Sequence, residues 1–252
     1  MSLCKNVLTY KSPLYLKPLA ITVDFGSEKQ RAMAANPALK SLLAKSIGAK
    51  KLPPNAWIVD ATAGLGQDAF MMAAMGFRVT LIERSPPIAA LLNNALSQVP
   101  PNSWAYPIVQ RMTLVHGETK TWIQTRSGNN LYNAGLSSHD STAGSNPAII
   151  YIDPMFPANT KKSLSQKSIQ ILKGIIGDAP QDEGLLPAAQ TAATHRIVVK
   201  RHRHSPYLDG VKPALSFAGK SHRFDVYFPV LAAQDTADVT NLCTDWTDLL
   251  TL

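Results

Sequence analysis

The sequence predicts an α/β fold built on a mostly parallel, doubly wound sheet, and three features predict it. Short apolar runs alternate with longer helical patterns along the chain, the order expected of a parallel sheet with helices on both faces. Residues 57–70, Trp-Ile-Val-Asp-Ala-Thr-Ala-Gly-Leu-Gly-Gln-Asp-Ala-Phe, pass from an apolar strand through a Gly-x-Gly turn into a helix. Residues 149–157, Ile-Ile-Tyr-Ile-Asp-Pro-Met-Phe-Pro, end a second apolar strand in an acid, a proline and an aromatic. Ligands of open α/β sheets gather just beyond the carboxyl ends of such strands, so both corners point to one edge.

Taken in order, the apolar and β-branched runs predict strands at 57–60, 79–83, 111–115, 148–152, 195–200, 214–218 and 223–228. Helical spacing predicts helices at 31–47, 67–76, 86–97, 161–176 and 184–193. Met71, Met72 and Met75 lie at helical spacing and read as core filling. Residues 1–50 are expected to form a small N-terminal appendage, 51–230 the main domain and 231–252 an acidic, Thr-rich tail. The Gly-, Ser- and Asn-rich stretch 127–147 reads as an inserted, mobile surface loop.

The two corners carry the chemistry. Pro154 fixes φ and removes a donor, so Asp153 and Phe156 keep one relative position. A flat nitrogen heterocycle with an exocyclic amine would suit an acceptor beside a ring; an ordinary turn capped by Asp153 is the alternative. Gly64 and Gly66 permit positive φ and close approach of a ligand to the backbone, at a helix start rich in free N–H groups. With Ala69 they also satisfy the loose dinucleotide pattern, which leaves a nicotinamide-dependent oxidoreductase open. Asp60, four residues before Gly64, would repel a phosphate and hold an amine-bearing or cationic ligand. Glu83 ends the next strand, where an acid accepts both hydroxyls of a ribose; its alternative is a solvated pair with Arg84. An adenosine cofactor is the expectation.

At 252 residues the chain can bury a full α/β core. Cys4 and Cys243 are its only cysteines, so neither a disulfide framework nor a multi-cysteine zinc site is expected, and a cytoplasmic setting is. A formal net charge of +8 favours a polyanionic partner. Lys161, Lys162 and Lys167 follow the Asp-Pro corner, and Lys200, Arg201 and Arg203 follow the strand residues Arg-Ile-Val-Val at 196–199. Each cluster alone could be a solvated face; two at strand ends beside an acidic, aromatic pocket fit an RNA partner. His202-x-His204 lacks a third ligand at fitting spacing, and no metal is expected.

Six ordered blocks resemble the class I S-adenosylmethionine-dependent methyltransferases, and more closely the small-subunit ribosomal RNA guanine-N2 methyltransferases of the RsmJ type. They are Asp-Ala-Thr-Ala-Gly-Leu-Gly-Gln-Asp-Ala-Phe at 60–70, Glu-Arg at 83–84, Ala-Ala-Leu-Leu at 89–92, Asp-Pro-Met-Phe-Pro at 153–157, Val-Val-Lys-Arg at 198–201 and Gly-Lys-Ser-His-Arg-Phe-Asp-Val-Tyr at 219–227. The resemblance implies a Rossmann-like sheet whose seventh strand is inserted antiparallel. It implies cofactor contacts at Gln67, Asp68, Glu83, Arg84, Glu118, Thr119 and Asp153, the Glu118–Thr119 pair departing from the family's residues there. It implies methyl transfer to guanine N2 in 16S ribosomal RNA, with Asp153 and the Pro154 carbonyl receiving the amine and Phe156 stacking on the flipped base. A non-catalytic ribosome assembly factor on the same fold is the remaining alternative.

Overall fold

The computed structural model describes residues 2–4, 7–10, 19–35, 41–127, 146–154 and 183–230. Its centre is a seven-stranded sheet: β4 (Trp57–Asp60), β5 (Arg78–Glu83), β6 (Met112–His116), β7 (Ile149–Ile152), β8 (Arg196–His202), β9 (Leu215–Ala218) and β10 (His222–Tyr227). The strands lie in the order β6-β5-β4-β7-β8-β10-β9. Pairings from β6 to β8 are parallel, and β10 runs antiparallel to both β8 and β9. The strand limits expected from apolar runs fall within one residue of those observed, except that β8 runs two residues beyond its expected end.

Central strands of this sheet bury both faces, which is why β4 and β7 read as unbroken apolar runs. The two-residue period still sorts them. Ile149 and Tyr151 enter a core with Phe25, Phe70 and Leu81, whereas Ile150 and Ile152 enter a second core with Trp57, Trp122 and Leu186. Each such apolar side chain removed from water contributes about 1.5–3 kcal/mol. The first core is covered by α2 (Leu42–Ile47), α3 (Gln67–Ala74) and α4 (Pro86–Ser97), the second by α6 (Thr119–Ser127) and α7 (Leu185–Ala192).

Several elements were not expected. Strands β1 (Ser2–Cys4), β2 (Val7–Tyr10) and β3 (Leu19–Thr22) form a separate three-stranded antiparallel sheet. The short helix α5 (Tyr106–Val109) and α6 also went unread. The expected helix at 31–47 is two helices, α1 (Glu28–Ala34) and α2. Each has its own serine cap: Gln30 N donates to Ser27 Oγ at 3.4 Å and Ala44 N to Ser41 Oγ at 3.1 Å. The helix expected at 161–176 and most of the loop expected at 127–147 lie outside the described residues.

Helix α2 is part of the main body. It packs on β8, β9 and β10. The buried Arg196 of β8 donates from Nη1 to the Ser46 carbonyl at 3.1 Å, satisfying one of the carbonyls that α2 leaves open at its C-terminus.

Candidate active site

The site begins where β4 stops. Residues 61–63 stay tied to three neighbouring segments: Ala61 N donates to the Tyr151 carbonyl at 2.8 Å and Ala63 N to the Ile82 carbonyl at 3.0 Å. Asp153 N donates to Thr62 Oγ1 at 2.7 Å. The Thr119 hydroxyl donates to the Ala61 carbonyl at 2.5 Å. The ends of β4, β5 and β7 and the start of α6 are thereby fixed together, and the Gly-x-Gly turn departs from a rigid base.

Gly64 and Gly66 have φ of 52° and 71°, in the left-handed region that favours glycine. They differ in purpose. A Cβ on Gly64 would meet nothing closer than the Thr62 carbonyl at 3.8 Å, so this side of the turn is open. A Cβ on Gly66 would lie 3.0 Å from Leu92 Cδ2, 3.2 Å from Phe25 Cζ and 3.3 Å from Leu81 Cδ2. The missing side chain of Gly66 lets the turn pack against the core.

Glu83 is 6 % exposed and faces the same turn. Gly64 N donates to its Oε2 at 2.9 Å and Ser85 N to its Oε1 at 2.7 Å. Burial pushes the carboxyl above its ordinary range, and those two N–H groups oppose the shift. Each oxygen can still accept a second hydrogen bond. The acid therefore stands oriented, with capacity for a diol.

The densest chemistry lies between β4, α3, β7 and β8. Lys200 Nζ donates to Asp68 Oδ2 at 2.7 Å and to Asp153 Oδ2 at 3.0 Å, and the buried Tyr151 hydroxyl donates to Asp68 Oδ2 at 2.6 Å. Asp60, 2 % exposed, completes the group. Its carboxyl is pushed well up by burial and by the charges of Asp68 and Asp153, against the N–H of Thr62. Burial also raises Asp153 to about 6, with Lys200 pulling down and Asp68 pushing up. For Lys200 burial disfavours the charge, yet Asp153 and Asp68 outweigh it and raise the ammonium. Three carboxylates face one ammonium here, an excess of negative charge suited to a ligand that brings a positive centre. Beside the diol-ready Glu83 and the open face of Gly64, this donor set fits S-adenosylmethionine, whose sulfonium and α-ammonium are cationic.

The other expected contacts are more spread out. Gln67 is exposed at the first position of α3. Arg84 Nη1 lies 3.8 Å from Glu118 Oε2, so these two expected cofactor residues pair with each other. Pro154 is buried at the corner after β7. Phe156, Lys161, Lys162 and Lys167 lie outside the described residues.

Two of the expected RNA contacts on β8 are corrected. Lys200 points into the acid cluster, its side chain 21 % exposed. Arg201 is buried and donates from Nε and Nη2 to the Pro206 carbonyl at 3.0 and 2.9 Å, bracing the following loop. Arg203 alone of the three is exposed. Sequence reasoning also missed Tyr151 and the segment Thr22–Gln30, which closes one side of the turn. Between that segment and the turn is a cleft of about 250 Å³, bordered by Asp24, Lys29, Gln30, Leu65 and Gln67. Residues 23–25, Val-Asp-Phe, were the available signal there, since alternating burial places Val23 and Phe25 in the core and Asp24 outside.

Comparison with known proteins agrees with this geometry. Residues 3–229 match the family model described as "Putative SAM-dependent methyltransferase". The Ribosomal RNA small subunit methyltransferase J of Saccharophagus degradans is 38% identical over 219 residues, 84% of this chain and 76% of that protein. The protein of the same name from Chromobacterium violaceum is 41% identical over 186 residues, 73% of this chain and 66% of that protein. Among solved structures, the SAM-dependent methyltransferase of Neisseria gonorrhoeae superposes with a TM-score of 0.62 at 27% identity, covering 90% of this chain and 81% of that one. The dinucleotide reading of the Gly-x-Gly turn is thereby set aside, and the chain belongs to the SAM-dependent methyltransferase family.

Proposed function

We propose that the chain methylates the exocyclic N2 of a guanine in small-subunit ribosomal RNA. The relatives at 36–41% identity are named for methylation of that RNA. The observation that carries the reading is the position of Asp153, at the end of β7, in one hydrogen-bonded group with Asp68 of the helix that leaves the Gly-x-Gly turn. An acceptor for a substrate amine is thus coupled to the edge that holds the cofactor.

When bound, S-adenosylmethionine supplies an already activated methyl group. The chain's residues have the remaining tasks. Glu83 and the open face of Gly64 orient the cofactor, and the carboxylate excess of Asp60, Asp68 and Asp153 favours its cationic part. The lone pair of guanine's amine is delocalised into the ring. Asp153 and the Pro154 carbonyl accept its two N–H bonds, which favours a pyramidal nitrogen with an available lone pair. Lys200 keeps the Asp153 carboxylate in one place and stabilises its charge. Phe156, two residues beyond Pro154, supplies the stacking face for the base. After transfer the nitrogen loses one proton, and ionised Asp153 is placed to receive it.

Holding the amine in reach accounts for most of the catalytic effect in this reading, as expected where the transferred group arrives activated. The segment Thr22–Gln30 borders the cofactor turn, and the protein acts in the cytoplasm, where its RNA is found. The test is transfer of radiolabelled methyl from S-adenosylmethionine to small-subunit RNA, free and assembled, followed by nuclease digestion. N2-methylguanosine is the expected product. Label on another atom would refute the assigned chemistry, and no label with the cofactor demonstrably bound would favour a non-catalytic assembly role.

A further inference from the structure

At the outer end of β8, beyond Lys200, lies a corner rich in rings. His202 and His204 have centroids 5.8 Å apart, and His222, opposite His202 in the antiparallel register with β10, is 6.3 Å from His202 at 80°. Three of the chain's six histidines meet here. Among the described residues they do not form a metal-binding group. His204, Arg203, Tyr207, Lys220 and His222 are all exposed.

The corner is stiff because two buried arginines staple it from beneath. Arg201 holds the Pro206 carbonyl, and Arg223 Nη1 donates to the His202 and Arg203 carbonyls at 3.2 and 2.7 Å. The Arg223 guanidinium also lies 5.0 Å from the Tyr207 ring centroid, on a face of that ring. Arg223 is itself fixed by both oxygens of the fully buried Asp225 at 3.0 Å. Guanidiniums that would otherwise be free to meet phosphates are spent on positioning a loop. What the loop presents outward is imidazole, phenol and two cations.

That combination suits an unpaired strand of RNA. Unstacked bases pack on His and Tyr rings, while cations take the phosphates between them. A duplex keeps its base faces stacked on one another and out of reach of these rings. We propose that this corner is a single-strand RNA platform: His202, His204, His222 and Tyr207 stack on or edge the nucleotides beside the target base, with Arg203 and Lys220 on their phosphates. It rests on the RNA reading above, and it begins two residues along β8 from the lysine that holds Asp153.

His222 also makes binding depend on protons. His222 is held below its ordinary pKa by burial, by Lys200 and by His202, with Asp68 acting weakly in the other direction. The charged and titratable groups that face it are Lys200 and His202 on β8 and Asp68 on α3, and the Ser221 hydroxyl lies 2.8 Å from its Nδ1. Free, it is neutral near pH 7. A nearby phosphate raises its proton affinity, so RNA binding takes up protons and strengthens as pH falls.

The experiment is fluorescence anisotropy with a labelled single-stranded RNA oligonucleotide, and with its duplex, at pH 8 and pH 6 over a salt series. Wild type is compared with the triple variant His202→Gln, His204→Gln, His222→Gln and with Tyr207→Ala. In wild type, affinity for the single strand should rise roughly tenfold from pH 8 to pH 6, each imidazolium that meets a phosphate steepening the log–log salt slope by about 0.7. The triple variant should lose the added slope and most of the gain, and Tyr207→Ala should weaken binding equally at both pH values. Asp153 titrates in the same window in every variant, so the difference from wild type reports the histidines. Calorimetry with S-adenosylmethionine should give unchanged affinity, which shows that the variants are folded. An undiminished pH response in the triple variant, or equal affinity for the duplex, overturns the platform. Wild type that binds no RNA at all overturns the RNA reading with it.

Discussion

Lys200 bridges Asp68 and Asp153, its ammonium 2.7 Å from one carboxylate and 3.0 Å from the other. Without it the two acids would face each other and the buried Asp60 with only the weaker pull of Arg201 as counter-charge. Replacement by Met should therefore raise the Asp153 carboxyl further above its present value of about 6. If the reaction needs Asp153 ionised, the acid limb of the kcat/KM profile should lie near pH 6 in wild type and move upward in Lys200→Met. Lys200→Arg should restore most of the wild-type profile. A profile unmoved by either change would mean that Asp153 is not the group titrating.

Gly64 and Gly66 should fail in different ways. Ala at 66 must displace Leu92, Phe25 or Leu81 and adopt φ of 71°, which should cost about 1–3 kcal/mol of stability. Ala at 64 meets open space and carries only the backbone penalty of about 1 kcal/mol, yet its methyl would intrude where the cofactor approaches. Denaturant melts should single out Gly66→Ala, and calorimetry with S-adenosylmethionine should single out Gly64→Ala. The reverse ranking would show that Gly66 rather than Gly64 borders the ligand.

The arginines of the Lys200–Arg203 run should separate likewise. Arg203→Ala should leave the melting temperature unchanged and lower the salt slope of single-stranded RNA binding by about 0.7. Arg201→Ala removes the two hydrogen bonds that secure the Pro206 carbonyl, and should lower thermal stability by about 1–3 kcal/mol. Equal effects of both variants on the salt slope would return Arg201 to the RNA surface.

The contrast within that run shows what a sequence reading could reach. Strands β4, β5, β7 and β8 were legible because buried parallel strands are short, β-branched and bounded by turns. The corner after β7 and the acid ending β5 stood out because each puts a carboxyl at the end of an apolar run, where ligands of open α/β sheets gather. Lys200 was misread because all five residues from 200 to 204 are Lys, Arg or His, and composition averages over the strand's alternation. Register held the missing information: Ile152 pairs with Val199, so Asp153 and Lys200 come next along neighbouring strands. The packing need at Gly66 was not legible, because a glycine needed for packing and one needed for a ligand look alike until their neighbours are known. Helix α6, Thr-Lys-Thr-Trp-Ile-Gln-Thr-Arg-Ser, lacked a clear apolar stripe, and β1 to β3 are too short to show a period.

Asp153 makes the strongest demand on the proposed chemistry. Its carboxyl is raised from an ordinary 3.8 to about 6, so the folded protein binds that proton more tightly than the unfolded chain does. The stability this contributes is present below pH 4 and is lost as pH rises through 6, whereas activity requires the charged form and follows the opposite course. Asp153→Asn should therefore flatten the decline in stability across that window while lowering turnover. Because an acceptor for the amine matters more as the nitrogen becomes pyramidal, kcat should fall roughly 100-fold or more, and RNA affinity by much less. Asn keeps the shape but offers only one acceptor oxygen and no charge, so partial activity relative to Asp153→Ala would measure how much of the effect is charge. Cofactor affinity measured in the same variants separates a lost amine contact from a disturbed Asp68–Lys200 group. An Asp153→Asn enzyme with wild-type turnover and a wild-type acid limb would place the methyl-accepting chemistry on another residue.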